Sequence, residues 1–268
     1  MFDGALTELL SITNRTKEAI NCYIFTMDLT RVNENYKCIS DSQIAFLDKV
    51  VKSKNEKNKV TKVDVTSLYE EEFGNCKNEN AYCTPYTLLR LLADLIPDMP
   101  DKLLYLDIDM MIADDINDLY SKDVNDVEFL AVKEKYGCWL IWPDYFNAGM
   151  LLFNMSKIKE TKLLEKAREL IRTTKMLFAD QDAIYRSKTK MGFLPRRYNE
   201  QSKFDRKDTL VCHFCKRLLL WPWFKVVNIK QWHIDDVHKY YKAHRFDKDL
   251  DEYMRLKEEY ENNLERGM

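Results

Sequence analysis

The chain reads as an α/β protein. It predicts a Rossmann-like, mostly parallel sheet with helices on both faces, followed by a helical C-terminal extension. Three observations lead there. Helical and strand-like apolar patterns alternate as αβαβαβ up to Ile112, the order expected when crossover helices wind a parallel sheet. The third strand-like run, Leu103-Leu104-Tyr105-Leu106, is apolar or aromatic throughout, as in strands buried on both faces. It leads into Asp107-Ile108-Asp109, which puts carboxylates at a strand's C-terminal end, where open α/β sheets place their ligands.

Residues 3–16 predict an amphipathic helix, with Ala5, Leu6, Leu9, Leu10 and Ile12 on one side. Ile20 to Met27 is β-rich and reads as a strand. Ser40 or Asp41 opens a second helix carrying Ile44, Phe46, Leu47, Val50 and Val51 at helical spacing. A charged loop over 52–59 precedes a short strand at Val60, Val63 and Val65, and the acidic stretch 70–80 reads as a surface loop. Thr84-Pro85 is a helix start, a hydroxyl cap followed by proline at the first position. Leu88 to Leu95 continue that helix up to Pro97. After the aspartates come a helical turn at 116–120, a strand at 129–132 and an aromatic loop over 136–144. Tyr145 to Phe153 is apolar but interrupted by Asn147 and Gly149, and a glycine within a strand often marks close approach of a ligand or another backbone. A helix over 157–174, a short helix starting at Asp180-Gln181-Asp182, and strands at 192–198 and 209–214 complete the order. The tail from Trp232 balances acidic and basic residues and reads as a solvated amphipathic extension. The division expected is therefore 1–230 as the main α/β unit and 231–268 as the charged helical extension.

Composition narrows the classes. A formal net charge of −2 over 268 residues argues against a bulk nucleic-acid binder, which would show a basic excess. No apolar run approaches the ~20 residues that span a bilayer, and no signal peptide is visible at Met1-Phe2-Asp3-Gly4. Seven scattered cysteines suit a reducing cytosol better than a disulfide framework. The expected location is cytoplasmic, with peripheral membrane association left open.

Asp107 and Asp109 cannot both be desolvated and unpaired, because an isolated buried charge is very costly. Two residues apart in a strand, they point to one face and can grip one divalent ion. Further polar interruptions of apolar segments are Asn147 with Gly149, Asp180-Gln181-Asp182, and His213 after Leu210-Val211-Cys212. Cys212-His213-Phe214-Cys215 also admits a structural zinc reading, although no second Cys-x-x-Cys accompanies it.

The stretches LYLDIDMMIADDI, YFNAGMLLFN, ADQDAI and HFCK followed by WPW occur in this order. Together they resemble glycosyltransferase family 8, retaining nucleotide-sugar transferases of the GT-A fold, over roughly residues 3 to 223. The resemblance implies that Asp107, Asp109 and His213 hold Mn²⁺ (or Mg²⁺), which binds the diphosphate of a UDP-sugar. It places Asn147, Ala148, Gly149 and Asp182 beside the donor sugar, with Asp180 and Gln181 as the catalytic pair near the anomeric carbon. The implied acceptor is a bacterial-type surface glycan or lipid-linked sugar. Three departures stand out. The strand with which the family begins has no counterpart before the first helix. The family's Lys-Pro-Trp reads Trp221-Pro222-Trp223, leaving Lys216 or Arg217 as candidate cations for the departing diphosphate. An arginine expected at Leu88 is replaced by Arg90 two residues on.

Two other readings remain at this point. One is a degenerate nucleotide-sugar-binding protein that keeps the fold without turnover. The other is a phosphatase-like hydrolase with Asp107 as phosphoryl acceptor and Asp109 as acid/base, although that family usually has Thr or Val where Met111 stands here.

Overall fold

The computed structural model describes residues 1–79, 84–135, 137–219 and 225–266. The alternating order predicted for the first part holds: α1 (Phe2–Thr13), β1 (Asn21–Thr26), α2 (Asp41–Lys54) and β2 (Lys59–Asp64). Ser40 starts α2 with a reciprocal capping box, its hydroxyl accepting from Gln43 N while Gln43 Oε1 accepts from Ser40 N. The acidic stretch read as a loop begins instead as α3 (Thr66–Phe73), because Tyr69 and Phe73, four residues apart, are both buried in the core. A 3₁₀ helix (Pro85–Leu95) follows and buries Leu88, Leu89, Leu91 and Leu92.

Strands β3 (Lys102–Leu106) and β4 (Met110–Ile112) are separate. Asp107 to Asp109 form the turn between them rather than the end of one continuous strand. Then come α4 (Asn117–Tyr120), β5 (Phe129–Lys133), the single turn α5 (Gly137–Leu140) and β6 (Phe146–Asn154). The helix expected over 157–174 breaks into α6 (Met155–Thr161) and α7 (Leu163–Thr173) at Lys162, which is left-handed with φ 57. In one straight helix Ile158 and Leu163 would lie about 140° apart, yet both are fully buried; the break turns each toward the core.

The remaining elements are α8 (Ala179–Ser187), β7 (Met191–Phe193), β8 (Val211–His213), β9 (Arg217–Leu219), β10 (Lys225–Val227), α9 (Ile234–Asp236) and α10 (Asp247–Glu265).

The α/β class stands, but the strand directions are mixed rather than mostly parallel. β1–β2 and β5–β7 are parallel; β3–β6, β5–β6, β4–β8 and β9–β10 are antiparallel. The chain returns from β5 to β6 without a long crossover helix, which only antiparallel neighbours allow. The central sheet has the order β3-β6-β5-β7. A core of Phe129, Phe146, Leu151 and Phe153 from the sheet and Leu163, Leu164 and Ile184 from the helices covers one face. A second core joins α1, β1, α2 and α10. No helix among the described residues is long and apolar enough to cross a membrane.

Candidate active site

Two antiparallel pairings bring the predicted residues together. β3 against β6 sets Leu106 opposite Met150, and the next step of the ladder runs from Asp107 N to Gly149 O at 2.7 Å. β4 against β8 sets Met110 opposite His213, while Phe214 N donates to Asp109 O at 2.8 Å. Ligand atoms of Asp107, Asp109 and His213 thus all lie within 4.8 Å of one another. His213 Nε2 is 3.1 Å from Asp109 Oδ1 and 3.9 Å from Asp107 Oδ2.

The His213 ring is buried, and its Nδ1 lies 3.1 Å from Asn199 Oδ1. Asn199 Nδ2 donates to Asn147 Oδ1 at 2.9 Å, which turns the amide oxygen toward the imidazole. Nδ1 therefore donates to Asn199, and Nε2 is the ring nitrogen turned toward the aspartates, the second-shell arrangement that orients a metal-binding histidine. Gly149 allows the close packing. A Cβ there would collide with His213 Cε1 and lie 2.9 Å from Asp107 Oδ2.

Cations already serve both carboxylates. Buried Arg90 donates from Nη2 to Asp107 Oδ1 at 2.7 Å and pairs through Nε with Asp180 Oδ2 at 3.1 Å. Its other terminal nitrogen bonds Ala148 O, and its guanidinium lies over the Tyr105 ring at 4.3 Å. Lys230 Nζ bonds Asp109 Oδ2. Burial pushes the Asp109 carboxyl up, but His213 and Lys230 outweigh it and hold the group well below the usual carboxylate range. Burial, with Asp109 and Asp107 close by, pushes the Glu8 carboxyl well up. Burial likewise raises Asp180, against the pull of Arg90 and with the repulsion of Asp107. This concentration of carboxylates calls for positive charge.

Gln181 Oε1 accepts from Ala148 N at 2.9 Å, tying the start of α8 to β6. Asp182 is held by two protein donors. Its Oδ1 takes the Tyr145 hydroxyl at 2.5 Å and its Oδ2 takes Phe178 N at 3.1 Å, so it orients Tyr145 and the helix start. Lys216 is exposed three residues past His213, at the mouth of β8. Trp221-Pro222-Trp223 lies outside the described residues. The structural zinc reading fails: neighbouring residues of β8 point to opposite faces, and neither group of described residues able to hold a metal contains a cysteine.

Sequence reasoning missed Asn199, Lys230 and Gln231. Gln231 Nε2 donates to Ile108 O at 3.0 Å and to Thr7 Oγ1 at 3.1 Å, bracing the aspartate turn against α1. All three sit in irregular segments, where no apolar period flags a polar residue. The donor set suits a divalent cation: two carboxylates and an imidazole, each with its remaining polar atoms held by neighbours.

The glycosyl transferase family 8 profile matches residues 2–235. A Haemophilus influenzae protein provisionally named a glycosyltransferase is 26% identical over 240 residues, covering 80% of this chain and 67% of its own length. The Escherichia coli lipopolysaccharide 1,2-glucosyltransferase is 29% identical over 170 residues, 53% of this chain and 48% of that protein. Among solved structures, the galactosyltransferase LgtC in complex with donor and acceptor sugar analogs superposes with a TM-score of 0.62 at 19% identity, covering 94% of this chain and 92% of that one. That likeness establishes the GT-A-type fold, and the phosphatase-like reading finds no support beside it. The chain belongs to glycosyltransferase family 8.

Proposed function

We propose that the chain is a retaining hexosyltransferase that takes a UDP-sugar donor and a glycan or lipid-linked acceptor, with Mn²⁺ (or Mg²⁺) held by Asp107, Asp109 and His213. The observation that carries this reading is the convergence of these three ligands within 4.8 Å, with Asn199 orienting the imidazole. When bound, the ion neutralises the negative charge that develops on the departing diphosphate.

The chain's own residues do the rest. Arg90 holds Asp107 and Asp180 in place from behind. Asn147, Ala148 and Gly149 form the floor beside the metal ligands, where Gly149 lets the His213 ring and Asp107 pack close against the strand. Gln181 and Asp180, at the start of α8, face the anomeric centre. Gln181 is an amide and a poor nucleophile, so retention proceeds by attack of the acceptor hydroxyl on the face the diphosphate leaves. Lys216 and Lys230 supply cations for the leaving group. Asp182 acts as a positioning residue through Tyr145. Trp139 and Trp142 are 87% and 59% exposed on the segment leading into Tyr145. Exposed apolar patches mark interaction surfaces, and these rings are assigned to the acceptor side. In this reading residues 1–230 form the catalytic unit, residues 231–268 its helical extension, and the reaction takes place in the cytoplasm.

One observation favours the binding protein without turnover. Lys230 bonds Asp109 directly and compensates its charge from the protein side. Single-turnover release of UDP from a panel of UDP-sugars, with Mn²⁺ and with EDTA, separates the two. Metal-dependent release supports the transferase. UDP binding with no release under either condition supports the binder.

A further inference from the structure

We propose a second metal site, remote in sequence from the aspartate cluster, formed by His238, His244 and Asp247 and suited to a transition-metal ion such as Zn²⁺. His238 Nε2 lies 2.8 Å from Asp247 Oδ1, and His244 Nδ1 lies 3.1 Å from Asp247 Oδ2. The two imidazoles stack with centroids 4.4 Å apart and planes 28° from parallel. One ligand atom from each of the three residues falls within 4.8 Å of the others. Two rings and both oxygens of one carboxylate therefore point into a single small volume.

The backbone is shaped to bring them there. After α9, Val237–Tyr241 winds as a π-turn that ends at Lys242, in the left-handed region at φ 54. π-turns recur at functional sites, and a left-handed lysine is a costly conformation that persists only where its surroundings impose it. Val237, Phe246 and Leu250 are buried together in one apolar cluster with Phe214 and Met111. The base of the loop is thereby fixed while the histidines stay open to solvent.

The donor set also selects the ion. Two imidazoles and one carboxylate match zinc-class metals, with a position left for water. The two-carboxylate cluster at Asp107 and Asp109 is the harder site and suits Mn²⁺ or Mg²⁺ better. In the arrangement seen here each imidazole donates an N–H to Asp247. On metal binding that nitrogen becomes a ligand and the proton moves, through solvent, to the other ring nitrogen. The ion would clamp the segment that follows Lys230 and Gln231 to the start of α10. The inference does not rest on the glycosyltransferase reading, because its readout is metal binding alone.

The test is a Co²⁺ titration of metal-free full-length protein carrying Asp107→Asn and Asp109→Asn, followed by visible d–d absorption, with Zn²⁺ as competitor. The expected result is one equivalent bound with a low-symmetry Co²⁺ spectrum that Zn²⁺ erases. His244→Ala, at a solvent-exposed ring, should weaken binding at least tenfold with an unchanged far-UV circular dichroism spectrum, and Asp247→Asn should do the same. The same titration of otherwise wild-type protein should lose one equivalent on His238→Ala with His244→Ala. No spectral change in the Asp107/Asp109 variant, or an unchanged titration after the histidine substitutions, would overturn the proposal.

Discussion

At Asp109 the proposed mechanism turns on one carboxylate, buried and facing an imidazole and an ammonium. Asp109→Asn keeps the shape and removes the charge. If the metal stabilises the transition state by about 4 kcal/mol, single-turnover UDP release should fall roughly a thousandfold with no change in circular dichroism. Equal rates for wild type, the variant and EDTA-treated protein would remove the metal from the mechanism. Lys230 acts on the same group from the other side. A metal ion must displace its ammonium from Asp109, and a partly buried pair of this kind is worth about 1 kcal/mol. Lys230→Met should therefore tighten Mn²⁺ binding roughly fivefold by calorimetry, while slowing UDP release because a cation beside the leaving diphosphate is gone. Weaker Mn²⁺ binding in this variant would mean that Lys230 supports the metal site instead of competing for it. Gly149→Ala adds a single methyl where His213 Cε1 already stands. It should push the imidazole off Asn199 and cost about tenfold or more in Mn²⁺ affinity, within the range for disturbed second-shell contacts, read by calorimetry on folded protein.

Elements set where these residues meet, and here the sequence was partly legible. The apolar run into Asp107 exposed the strand and its acidic end, because a continuous apolar stretch is hard to read any other way. The turn at 107–109 was not legible: alternation puts the aspartates on one face only in an unbroken strand, and nothing in the pattern marks where a strand stops. Strand direction was equally hidden, since an apolar run has no polarity; β6 proved antiparallel to both of its neighbours. Asn199 and Lys230 matter only through tertiary contacts, and asparagine or lysine in a loop reads as solvent-facing. Arg90 was legible by position, but its reach to both Asp107 and Asp180 needed the packed 3₁₀ helix. The docking of α1 gives the prediction at this scale. A Cβ on Gly4 would stand 2.7 Å from Ile108 O and 2.9 Å from Trp232 Cζ3. Gly4→Ala raises helix propensity by up to about 1 kcal/mol, so a purely helical effect would stabilise. The expected outcome is the opposite: a lower melting temperature together with weaker Mn²⁺ binding, because α1 lifts away from the aspartate turn. A higher melting temperature with unchanged binding would show that α1 does not brace the site.

The whole molecule raises the question of whether its last helix is an appendage. The sequence pattern suggested a solvated extension, and the outer face of α10 is indeed charged. Its inner face, however, enters two cores. Tyr253, Leu256 and Tyr260 pack with Phe2, Leu6 and Phe46, and Leu250 packs with Phe214 and Met111. Buried Asp249 takes a bidentate pair from Arg15 at 2.7 and 2.9 Å, and Asp3 accepts from the Tyr253 hydroxyl at 2.6 Å. A helix sharing its apolar surface with the first helix has no separate core to unfold around. Unfolding should therefore be a single cooperative transition, with α10 amides and those of β3 and β6 exchanging with solvent at similar protection. Leu256→Ala should cost about 2–4 kcal/mol, a large part of the 5–15 kcal/mol typical of a native domain, and should lower the one midpoint without splitting it. Hydrogen exchange resolved by segment checks this directly. If α10 exchanged far faster than the sheet, or the variant produced a second early transition seen only in α10, the helix would be a separately melting extension, and Lys230 and Gln231 would have to be held at the aspartates by local contacts alone.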